Sequence, residues 1–118
     1  KFIRFYTIFY LFFRFILLFQ PIMTKTVNIA LQILPTSKEI HPYTLVDKAI
    51  EVIAASGLKY KVNPFETVME GNYEEIMEVV KLAQQACYAA GADSLMTYIK
   101  IQSSTEDVSI QDKMEKYE

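Results

Sequence analysis

The sequence predicts an α+β domain with the element order β-α-β-β-α-β and a short C-terminal helix. Three observations carry this reading. Two long segments repeat apolar residues at helical spacing, and four shorter ones alternate apolar with polar residues. Prolines, glycines and Asn-Pro mark the boundaries between them. At 118 residues the chain has the length of one domain with one modest core.

Residues 26–34 set Val27, Ile29, Leu31 and Ile33 against Thr26, Asn28, Ala30 and Gln32, the pattern of a half-buried strand that Pro35 should stop. Pro42 suits the first turn of a helix, with His41 as the residue before it. The apolar stripe of that helix is Leu45, Val46, Ala49, Ile50 and Ile53, and Gly57 stands at its C-cap. Residues 58–62 form a second strand, and Asn63-Pro64 turns the chain into a third at residues 65–69. Asn72 followed by Glu75 is a variant of the capping box. It opens a helix with Ile76, Val79, Val80, Ala83, Ala86, Cys87 and Ala90 on one face, closed by Gly91. Residues 95–101 make the fourth strand. Ser109 with Asp112 can cap a final helix carrying Ile110, Met114 and Tyr117.

This order is the ferredoxin-like, or split βαβ, sandwich. Right-handed crossovers place both long helices on one side of a four-stranded antiparallel sheet. The other face is expected to carry Asn28, Ala30, Gln32, Thr67 and Met69, together with Met96, Tyr98 and Lys100. Such a face is too apolar to stay in water and too polar for an ordinary core. A partner subunit, a ligand or both would resolve it.

Residues 1–22 differ from the rest. They hold seven of the eight phenylalanines, three basic residues and no acid. From Met23 onward nine basic residues stand against all 14 acidic ones, a balance of −5. Arg4 and Arg14 break the apolar run into pieces shorter than the ~20 residues of a spanning helix. No small-x-small cleavage site follows, as a signal peptide would require. Lys, Phe, Ile, Tyr and Leu are also the residues that AT-rich DNA encodes. The expectation is therefore a domain spanning 23–118, with 1–22 an extension outside it; a membrane anchor is the competing reading.

Residues 63–71 concentrate the polar chemistry. A hydroxyl and two carboxylates share a short apolar strand, with Glu66, Val68 and Glu70 pointing one way and Thr67 and Met69 the other. Polar groups on a half-buried strand need partners. Other chemistries are poorly supplied. One cysteine excludes a disulfide framework and a cysteine-based zinc cluster, and the single histidine, His41, excludes a two-histidine site. Cys87 lies on an apolar helix stripe and reads as a small core residue. The three glycines form no phosphate loop, and the acidic domain lacks the aromatic-basic signature of RNA-binding sheets. No enzyme, metal, cofactor, nucleic-acid partner or membrane contact is expected, and a cytoplasmic location is.

The segments Ile29-Ala-Leu-Gln-Ile-Leu-Pro35, Pro64-Phe-Glu-Thr-Val-Met-Glu-Gly71 and Tyr98-Ile-Lys-Ile101, with the tail Ser109-Ile-Gln-Asp-Lys-Met-Glu-Lys-Tyr117, closely resemble the YkoF-like thiamine-binding family. The resemblance covers residues 23–118. It implies a ferredoxin-like domain that pairs sheet to sheet into dimers or tetramers and binds thiamine or its hydroxymethylpyrimidine half without chemistry. Against such a ligand, Gln32 and Thr67 would supply hydrogen bonds, Tyr60 or Tyr98 a stacking surface, and Glu70 a carboxylate from the strand end. Alternation sends Glu70 to the face opposite Thr67. Lys100 would repel a cationic ligand unless it is paired with a carboxylate such as Glu70. A ligand-free structural or regulatory oligomer is the rival expectation.

Overall fold

A computed structural model of the chain describes Arg4, residues 6–14 and residues 24–118. The elements follow the predicted order: β1 (Val27–Thr36), α1 (Pro42–Ala55), β2 (Lys59–Val62), β3 (Thr67–Gly71), α2 (Tyr73–Ala89), β4 (Ser94–Gln102), α3 (Ile110–Met114) and a 3₁₀ turn at Glu115–Tyr117. The sheet order is β2-β3-β1-β4, with every neighbouring pair antiparallel. This is the ferredoxin-like α+β architecture.

Local signals set the helix ends where the sequence places them. His41 caps α1, its Nδ1 accepting the Tyr43 N–H at 3.2 Å, with Pro42 in the first turn. Past α1, Gly57 has φ +80°, a conformation that costs a residue with a Cβ about 1–2 kcal/mol. Asn72 caps α2 by accepting from the N–H groups of Glu74 and Glu75 at 2.9 and 3.3 Å.

The helix side of the sheet forms the core. Val27, Ile29, Leu31 and Ile33 of β1 pack with Ala49 and Ile53 of α1 and with Ile76, Val79, Val80, Ala83 and Cys87 of α2. Cys87 is fully buried, its thiol donating to the Leu45 carbonyl at 3.3 Å. Burial pushes that thiol above its usual range, so it stays protonated, as a core residue should.

Two strands depart from expectation. β1 runs on through Pro35 to Thr36, because β4 continues to pair with it there. Beyond Leu31 nothing from β3 pairs with β1, which leaves a side free for the missing proline N–H. β3 begins at Thr67 and includes Gly71, leaving Phe65 outside it and exposed.

Residues 6–14 are helical, and their large apolar side chains are 52% to 69% exposed. Among the described residues no helix is long and apolar enough to cross a membrane. Apart from Arg4 and residues 6–14, the expected extension 1–22 lies outside the described residues.

Candidate ligand-binding face

The face of the sheet turned away from α1 and α2 is divided into two halves. Register decides its members. Directly opposite residues of antiparallel strands share a face, so Asn28 stands with Glu70 and Gln102, Ala30 with Val68 and Lys100, Gln32 with Tyr98, and Leu34 with Met96.

The half over β2 and β3 is covered by the C-terminal segment. Val108 N–H donates to the Thr26 carbonyl at 2.9 Å, and Asn28 Nδ2 to the Val108 carbonyl at 3.2 Å. Ile110 N–H donates to Glu70 Oε1 at 2.7 Å, and Ser109 caps α3 by accepting from Asp112 N–H. Lys113 Nζ reaches Gln102 Oε1 at 2.8 Å, and Lys61 pairs with Glu118 at 3.0 Å. Polar anchors dominate this attachment, and only Val108 of the segment is buried. A cavity of about 240 Å³ remains beneath α3, lined by Lys61, Asn63, Val68, Ile110, Lys113 and Met114. A wider groove of about 450 Å³ follows the edge of β2 along the same helix.

Past Asn28 and Ala30, which are buried, the half over β1 and β4 is bare. Leu34, Met96 and Tyr98 are 47%, 57% and 52% exposed, side by side with Gln32. Lys100 leans over this half to Glu66, its Nζ 2.8 Å from Oε1. The partner is Glu66 and not the expected Glu70, whose oxygens serve Ile110 and, at 3.7 Å, Lys59.

The six expected site residues therefore separate. Gln32, Glu70, Tyr98 and Lys100 lie on the open face. Thr67 and Tyr60 do not. Thr67 stands opposite Leu31 and Met69 opposite Ile29, which turns both toward the helices; Thr67 is 6% exposed and Met69 is fully buried. Expectation placed Thr67 and Met69 on the open face, and the register corrects it. Packing decides the phase: Met69 fills the core, while Glu66 and Glu70 find cationic and N–H partners outside it. Tyr60, opposite Met69, belongs to the same helix side and meets the 450 Å³ groove only from the edge strand.

Sequence reasoning missed two participants. Asn28 has only its place on the open face to mark it in the sequence, and it is the residue that holds Val108. Glu66 stands out in the sequence only as a strand carboxylate, and it neutralises Lys100. Each partnership spans more than thirty residues of chain, beyond the reach of any local pattern.

Comparison with known proteins follows the same lines. The family model described as thiamine-binding protein matches residues 29–118. A UPF0045 protein of Clostridium perfringens is 39% identical over 92 residues, covering 78% of this chain and 97% of its own. A Bacillus cereus domain of unknown function, DUF77, superposes with a TM-score of 0.79 at 41% identity, over 82% of this chain and 94% of that one. A candidate thiamine biosynthesis/salvage protein from Thermotoga maritima superposes with a TM-score of 0.73 at 29% identity, over 79% and 99% of the two chains.

Proposed function

The chain belongs to the thiamine-binding protein family, and from that premise we propose that it is a non-enzymatic binding protein for thiamine or its hydroxymethylpyrimidine half. The observation that carries the reading is the divided open face. A cavity with apolar walls and a few polar groups, closed by a segment attached mainly by polar anchors, is what a small planar ligand requires. The bare half beside it, with Leu34, Met96 and Tyr98, serves self-association, two copies meeting sheet to sheet. The Lys100–Glu66 pair removes the repulsion that a free ammonium would exert on a cationic thiazolium.

A ligand that binds only the folded state raises the melting temperature by mass action. Titrating thiamine and hydroxymethylpyrimidine in a thermal-shift assay is therefore expected to give a saturable rise for at least one of them. A flat response to both, at concentrations up to millimolar, would leave only the ligand-free oligomer.

A further inference from the structure

Among the described residues, Asn28 Oδ1 is the buried side-chain polar atom that the fold leaves unmet. The residue is 3% exposed, and this oxygen has no hydrogen-bond partner. Its orientation is fixed. The Val108 carbonyl can only accept, so the amide must turn its nitrogen there, at 3.2 Å, and its oxygen away. An acceptor buried without a donor destabilises the fold, and such groups are rare enough to call for a reason.

Directly across the ladder, Glu70 presents a second acceptor to the same face. Its Oε1 takes the Ile110 N–H, and Oε2 stands 3.7 Å from Lys59 Nζ. Ile110 thus donates to Glu70 and also lines the 240 Å³ cavity, whose wall includes Val68, the next open-face residue of β3. The same short segment thus touches both acceptors, Ile110 through Glu70 and Val108 through the Asn28 amide, at one end of the cavity.

We propose that the Asn28 amide oxygen and the Glu70 carboxylate form the recognition point for a planar, amino-bearing heterocycle, reached when Ile110 moves aside. The ligand's N–H groups take Asn28 Oδ1 and the Glu70 oxygen that Ile110 holds in its absence. Val68, Ile110 and Met114 contact the ring faces, and Lys61, Asn63 and Lys113 meet the ring's substituents at the cavity mouth. The proposal deepens the binding function proposed above and rests on it. It also gives a selectivity rule. Replacing the ring amino group by an oxo group sets a lone pair against Asn28 Oδ1, and such a ligand is rejected.

Calorimetric titration of the full chain with hydroxymethylpyrimidine and with its oxo analogue tests this. The amino compound is expected to bind about tenfold tighter or better, the size of one hydrogen bond gained plus one repulsion avoided. Asn28→Leu should erase the preference. The Ile110 amide, followed by hydrogen exchange in the unmutated chain, should exchange faster with ligand bound; this readout stands even where Asn28→Leu does not fold. Equal affinity for the two compounds, or an Ile110 amide whose exchange is unchanged or slowed, overturns the proposal. Thiamine or pyrimidine binding that persists without these signatures leaves the binding function intact and places its site elsewhere. Absence of binding to both ends the two readings together.

Discussion

Glu70 and Thr67 are three positions apart and belong to different environments. Glu70 ties the C-terminal segment to the open face, and Thr67 is sealed between the sheet and the helices. Thr67→Val keeps the shape and should leave thiamine affinity unchanged, while Glu70→Gln should weaken it several-fold through loss of a charged acceptor. Calorimetry of both variants checks this; a Thr67→Val protein with clearly weakened affinity would mean that the helix side holds the site. The phase of β3 was the part of the site that the sequence withheld. Thr-Val-Met-Glu carries an apolar residue on each face, so alternation alone fits either orientation. The larger Met69 fits the core beside Ile29, and that is a fact of packing in three dimensions. Asn28 was equally opaque, since the carbonyl that gives it meaning is 80 positions away. Gln32, Tyr98 and Lys100 were readable, because β1 and β4 keep regular alternation along their ladder.

At the level of elements, signals confined to one turn of chain were legible and those depending on tertiary neighbours were not. Both long helices begin at the caps the sequence indicates, His41 and Asn72. Asn72→Ala removes the acceptor of two N–H groups and is expected to destabilise the fold by about 1 kcal/mol in urea denaturation. A change below a few tenths would mean that water replaces the cap at no loss. β1 outran its proline because β4 pairs with it there, and α3 could be foreseen as a helix but not as the cover of a sheet face. Five residues cannot hold a helix by propensity. It is held to the sheet through Glu70 and Gln102, and the chain end after it through Lys61, on three different strands.

For the molecule as a whole, the bare half of the open face predicts assembly. Each large side chain covered in such an assembly would contribute roughly 1.5–3 kcal/mol, and Leu34, Met96 and Tyr98 would supply a useful part of a sheet-to-sheet interface. Light scattering of residues 23–118 should show a dimer or tetramer, and the pair Met96→Glu with Tyr98→Glu should reduce it to monomers; a parent that is already monomeric would remove the interface. The sheet order has a different consequence, for the time during which the chain is made. β1 precedes the other three strands of the sheet in synthesis and is an inner strand, flanked by β3 and β4. Its ladder to β4 joins residue 28 to residue 102. At about 5–20 residues per second, several seconds separate the emergence of the two. Throughout that interval an apolar ten-residue strand has a vacant side toward β4, and every chain on the same messenger displays an identical one. Copies growing side by side can exchange strands before either is finished. The sheet order thus leaves β1 open to its own siblings on the polysome until β4 has left the ribosome.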